Sequence, residues 1–135
     1  MTQQTAKGTF QVQMQPLSDT AGDTPADARL GRMSLDKTFE GELVGVGKGE
    51  MLTAMTGHKG SAAYVAIERV TGTLHGRKGS FVFQHSGTMD RAAPTLLVSV
   101  VPDSGTGQLV GLSGTFKIDV SGGVHHYEFS YSLPA

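Results

Sequence analysis

Glu68 stands in the run Tyr64-Val65-Ala66-Ile67-Glu68-Arg69-Val70, where every second residue belongs to the same face of an extended chain. Tyr64, Ala66, Glu68 and Val70 therefore share one side, and a carboxylate among them is costly unless it is paired or borders a wet cavity. Burial raises a carboxyl's pKa and a neighbouring His or Lys draws it back, so such a pair is suited to proton transfer. His85 is the matching partner, because it follows Phe81 and Phe83 on an apolar face. We read Glu68 and His85 as the candidate catalytic groups, Glu68 as acid/base and His85 beside it. Tyr64, Tyr127, Lys37 and Phe83 are the candidate ligand-facing residues, two hydroxyls and an amine to orient a molecule and a ring to pack on it. The plainer alternative is a structural ion pair of Glu68 with an arginine, or a Glu68 that faces water, with Tyr64 and Tyr127 as core-lining aromatics.

Other chemistry is weakly supported. Gly45-Val46-Gly47-Lys48-Gly49 lacks the third glycine of a dinucleotide-binding turn, and Lys48 precedes Gly49 where a P-loop needs Ser or Thr. A bent, glycine-rich strand is the better reading. Gly111-Leu112-Ser113-Gly114 has its second glycine one position too early for a nucleophile elbow. Adjacent His125 and His126 point to opposite faces of a strand and cannot hold one ion together. His126 and Glu128 share a face, but that face reads as exposed, so no metal site is expected and no cofactor is implied. His58 and His75 fall in loops. There is no cysteine, which removes disulfides, thiolate nucleophiles and Cys-ligated metals.

The elements that must position these groups are strands. Alternation of period two recurs through residues 9–14, 30–39, 42–52, 63–74, 80–88, 95–101, 108–120 and 124–133, with a polar loop over 15–28 that carries Pro16, Gly22 and Pro25. Nineteen glycines are dispersed along the chain, as expected of many short turns and bent strands. No window carries a capped 3.6-residue stripe, so at most a short helical turn hides in a loop. Eight antiparallel strands escape exposed edges best by closing on themselves. The expected fold is a single all-β domain over residues 1–135, an eight-stranded antiparallel barrel, with a two-sheet sandwich as the runner-up. In the last strand His125, Tyr127, Phe129 and Tyr131 share one side against His126, Glu128, Ser130 and Ser132.

Phe39-Glu40-Gly41-Glu42-Leu43-Val44-Gly45, the run from Tyr64-Val65-Ala66 through Phe83-Gln84-His85-Ser86-Gly87-Thr88, and Val101-Pro102-Asp103-Ser104 through Leu112-Ser113-Gly114 together resemble a bacterial family of about this length with no assigned function. That family is similar in fold to plant allene oxide cyclase, a small eight-stranded antiparallel barrel. The resemblance implies the same barrel. The cyclase closes a ring in a fatty-acid-derived epoxide held in a mostly apolar cavity, and none of its functional residues is carried over to a position in this chain.

The partner classes follow. A net charge of −1 with scattered basic residues lacks the footprint of a nucleic-acid binder. No apolar run approaches the ~20 residues of a membrane-spanning helix, and the first residues show neither a basic nor an apolar leader segment, so a cytoplasmic protein without a membrane partner is expected. The leading functional expectation is a barrel that binds a small, largely apolar ligand. An isomerase- or cyclase-type enzyme using Glu68 and His85, or a packed barrel that serves as an interaction module, are the alternatives. Residues 95–101, apolar on both faces, further suggest a homo-oligomer.

Overall fold

Alternating inward and outward side chains let each extended segment bury one face only, and eight such segments close that face into a cylinder. The structure is a computed structural model that describes residues 3–24 and 26–134. Its strands are β1 (Gln3–Thr20), β2 (Arg29–Gly41), β3 (Leu43–Met55), β4 (Ala62–Leu74), β5 (Arg77–Asp90), β6 (Ala93–Val100), β7 (Ser113–Ser121) and β8 (Val124–Ser132). They form a closed barrel in chain order, every neighbouring pair antiparallel, with β1 paired to β8. The expected all-β eight-stranded antiparallel barrel is therefore the fold observed. No helix among the described residues is long and apolar enough to cross a membrane.

Gly122 and Gly123 supply the two positive-φ residues of the β7–β8 hairpin, at 58° and 76°, the backbone that a two-residue type I′ turn requires. Two sequence expectations need correction. The segment 15–28 is not all loop, because β1 continues to Thr20 and pairs with β2 as far as Leu30. Pro16 is tolerated because the register shifts between Pro16 and Ser18, and a bulge is where a residue without an N–H fits a ladder. Pro25, named in that loop, lies outside the described residues. The seventh strand begins at Ser113, not 108, since Gly107–Leu109 forms a 3₁₀ turn. Leu109 and Leu112, three residues apart, are both buried, a spacing that fits the 3₁₀ turn and not a strand.

The interior has two unequal parts. All six phenylalanines, Phe10, Phe39, Phe81, Phe83, Phe116 and Phe129, are buried with Leu43, Leu74, Tyr127 and Tyr131 in the larger cluster. Ring centroids 4.8–6.2 Å apart link them in tilted, stacked and edge-on pairs, geometries worth about 0.5–1.5 kcal/mol per pair beyond area burial. Leu109 and Leu112 seal that end. The connection from β6 to β7 takes over as β5's neighbour there: Thr106 N–H donates to the Ser80 carbonyl at 2.8 Å, and Val82 N–H donates to Ser104 Oγ at 3.0 Å. As a result β6 and β7 share one registered pair, Ser99 with Thr115. The opposite end holds a smaller cluster of Leu35, Met51 and Ala66 with Val12, Met33 and Tyr64 packed against it, and it is open.

Candidate functional site

Three strands deliver one charged cluster to the boundary between these two parts. Lys37 comes from β2, Glu68 from β4 and His85 from β5, and all three are buried, Glu68 completely. Lys37 Nζ donates to Glu68 Oε1 at 3.2 Å, and His85 Nε2 contacts the same oxygen at 2.9 Å. Among the described residues Glu68 Oε2 has no hydrogen-bond partner.

Strand β3 lies between β2 and β4 and explains how Lys37 reaches Glu68. In register, Lys37 faces Gly47 and Gly49 faces Glu68, so the intervening strand presents no side chain to block the path. A Cβ placed on Gly47 would stand 2.1 Å from Glu68 Oε2 and 3.1 Å from the Phe39 ring. Gly47 thus vacates the space the carboxylate occupies, while Gly45 and Gly49 let the neighbouring β4 backbone approach closely. Lys37 Nζ also sits 4.8 Å from the centre of the Phe10 ring, a desolvated cation–π contact. Burial lowers the Lys37 pKa below its ordinary value, and the Glu68 charge and hydrogen bond oppose that shift.

Tyr64 caps this cluster from the open end. Its ring centre is 6.4 Å from that of His85 and rests on the bare backbone of Gly87, where a Cβ would meet the ring at 2.6 Å. Burial first, and then the Glu68 charge, raise the Tyr64 pKa above 10.0, so the phenol keeps its proton. Above it opens a cleft of about 310 Å³ lined by Met51, Met55, Tyr64, Met89, Pro94 and Leu96, among others. Glu68 and His85 do not line this cleft. Met14, Met33, Met51, Met55 and Met89 all belong to this half of the barrel, on β1, β2, β3 and β5.

Of the residues singled out from sequence, the fold brings Lys37, Glu68, His85 and Tyr64 together. Phe83 lies beneath them, its ring 6.2 Å from His85 and packed among the phenylalanines. Tyr127 is elsewhere: its hydroxyl accepts from Leu43 N–H at 2.8 Å and donates to the Glu40 carbonyl at 2.9 Å. That phenol holds the β2–β3 turn. The arginine weighed as Glu68's partner is replaced by Lys37, because Arg69, the nearest in sequence, points outward.

Sequence reading missed a second polar group at the sealed end. His75, placed in a loop without further role, hydrogen-bonds through Nδ1 to the Tyr131 hydroxyl, and its Nε2 lies 3.2 Å from Glu42 Oε2. His75 has φ of 46°, a left-handed conformation uncommon for a residue with a Cβ. Glu42 also accepts Lys7 N–H at 2.8 Å, and that bond, followed by the His75 bond, holds its pKa below the usual carboxylate value. The only signal in the sequence was a histidine where a two-residue turn favours Asn, Asp or Gly. Among the described residues no three His, Asp or Glu side chains are grouped as a metal site; His125 instead stacks on Phe10 at 5.0 Å.

Comparison with known proteins agrees with this barrel. No curated protein matches the chain. A crystal structure of a protein of unknown function from Shewanella oneidensis MR-1, a member of the DUF3224 family, is similar at 49% identity and a TM-score of 0.92, covering 99% of this chain and 100% of that one. The model of that family, described as a protein of unknown function, matches residues 6–131. The chain therefore belongs to the DUF3224 family.

Proposed function

We propose that this protein binds a small, uncharged, largely apolar molecule in the open mouth of the barrel. The observation that carries this reading is the 310 Å³ cleft, at the lower bound of ligand pockets of roughly 300–1,000 Å³. Its walls are methionine, threonine, alanine, leucine and proline side chains, and thioethers adapt to irregular apolar shapes. Tyr64, protonated at neutral pH, lines the cleft with Thr53, Thr88 and Thr95, and its phenol is the donor we assign to an acceptor oxygen on the ligand. Lys37 is committed to Glu68, and no lysine or arginine lines the cleft, so a carboxylate or phosphate headgroup finds no counter-charge there. Glu68, His85 and Phe83 act from below, as the rigid base on which Tyr64 is set.

A second reading, an isomerase- or cyclase-type enzyme with Glu68 as acid/base and His85 as its partner, takes support from their 2.9 Å contact. Both groups are enclosed, and Glu68 Oε1 already meets two donors, so binding is the reading the geometry favours.

The test is native mass spectrometry of the purified protein for a retained neutral compound, with calorimetric titration of 2-acetylnaphthalene, a neutral ketone, as probe. Binding is expected to be abolished by Leu96→Glu and weakened about five- to tenfold by Tyr64→Phe, the loss of one hydrogen bond worth ~1 kcal/mol. A protein that retains nothing and does not bind the ketone overturns the proposal. Conversion of a retained compound that Glu68→Gln stops would favour the enzyme.

A further inference from the structure

We infer that Met55 and Met89 form a peroxide-sensitive pair at the barrel mouth, whose conversion to sulfoxides engages the Tyr64 hydroxyl and closes the cleft to its ligand. Loss of the ligand rests on the binding reading above; susceptibility to oxidation rests on where the thioethers stand.

Sulfur in this chain is thioether sulfur, since six methionines accompany no cysteine. Met51, Met55 and Met89 line the same cleft, and their exposure is graded. Met55 is 58% exposed and Met89 41%, whereas Met51 is 8% exposed. A water-borne oxidant therefore reaches the first two sulfurs far more readily than the third. Met14 is also exposed but does not line the cleft.

Ladder register fixes where the new oxygens arise. Tyr64 faces Thr53 on β3 and Gly87 on β5, while the next inward residue of β4, Ala62, faces Met55 and Met89. Met55 and Met89 are thus diagonal neighbours of Tyr64 on its two flanks, roughly 7–8 Å away and within reach of aromatic and long side chains. The Tyr64 ring also leans across β5 over the bare backbone of Gly87, beside Met89 on the same face of that strand. A thioether packs as an apolar group and is a weak acceptor. Its sulfoxide is polar, and the added oxygen accepts the proton that the phenol otherwise offers to a ligand.

The oxidant is a hydroperoxide. A sulfur lone pair attacks one oxygen of hydrogen peroxide, and the S–O bond forms as the O–O bond breaks. The displaced hydroxide takes the proton of the new S–OH group and leaves as water. Sulfur is oxidised by two electrons and the peroxide is reduced by two.

Hydrogen peroxide added to the full chain, followed by peptide mass spectrometry, reads the oxidation. Met55 and Met89 are expected to gain an oxygen well before Met51; a Met51 that reacts as fast as either overturns the proposal. Calorimetric titration with 2-acetylnaphthalene before and after peroxide reads the closure, each variant being compared with its own untreated form. Affinity is expected to fall about tenfold, through the lost hydrogen bond and the lost apolar contact. Met55→Leu combined with Met89→Leu should show no fall, and Met14→Leu the full one. An oxidised wild type that binds as well as before overturns the proposal, as does a fall that persists in the double variant. A protein that does not bind the ketone even before treatment marks failure of the binding reading instead. Carbon-13 spectra of the methionine methyl groups then decide: the resonances of oxidised Met55 and Met89 are expected to shift on Tyr64→Phe, and unshifted resonances overturn the proposal.

Discussion

Replacing Glu68 by glutamine tests whether the interior of this barrel holds a real charge pair. The amide keeps the shape and one acceptor oxygen but removes the negative charge, leaving the Lys37 ammonium enclosed without a counter-ion. Breaking a buried pair in this way costs about 3–5 kcal/mol. Lys37 can escape part of that cost by releasing its proton, and its ordinary pKa of 10.5 sets the ceiling. Between pH 7 and 10.5, at 1.36 kcal/mol for each pKa unit, deprotonation costs about 5 kcal/mol at pH 7 and about 2 kcal/mol at pH 9. The sign follows from linkage. In the variant the folded-state pKa of Lys37 falls further below the unfolded value, so the unfolded chain binds more protons and the deficit shrinks as pH rises. Urea denaturation at pH 7, 8 and 9 should show Glu68→Gln losing about 3–5 kcal/mol at neutral pH and at most about 2 kcal/mol at pH 9. At pH 7 this corresponds to a melting temperature lowered by roughly 10–20 °C for a domain of this size. Lys37→Met combined with Glu68→Gln should recover most of the loss. A single variant within 1 kcal/mol of wild type, or a deficit independent of pH, would refute the argument.

Gly47→Ala should destabilise by about 1–3 kcal/mol, the cost of overpacking, because its Cβ would collide with Glu68 Oε2; urea midpoints check this, and the cost should diminish in a Glu68→Ala background. Tyr64, Tyr127 and Tyr131 all have pKa values raised above 10.0, each chiefly by burial. Raised folded values mean the native state holds protons the unfolded chain releases, so stability should be intact below pH 10 and fall above it. Thermal scans from pH 9 to 11 measure that slope, and Tyr64→Phe should reduce it.

What the sequence made legible depended on periodicity. The inward set Tyr64, Ala66, Glu68 and Val70 and the set Phe81, Phe83 and His85 follow directly from two-residue alternation on uninterrupted strands. The meeting of Glu68 with His85 was foreseeable on that basis. Lys37 was legible only as a candidate, because its contact crosses an intervening strand and depends on register, which alternation alone does not fix. Tyr127 lies on the correct face but at a level along the barrel axis that face assignment cannot supply. His75 was passed over because its partners, Glu42 and Tyr131, are 33 and 56 residues away in sequence. The extent of β1 was hidden by Pro16, whose bulge keeps pairing alive where proline ordinarily ends it.

The single registered pair between β6 and β7 gives the cylinder a predetermined line of parting. Around the rest of the circumference, ladders of eight to thirteen residue pairs must be undone together. At this seam the wall is held by side chains and by the docked connection instead of a ladder. Breathing motions that let solvent reach the backbone should concentrate there, with the fastest amide exchange among the strand residues of β6 and β7. The molecule is in that respect a curled ribbon with an overlapping edge, able to loosen laterally while its hairpins stay intact.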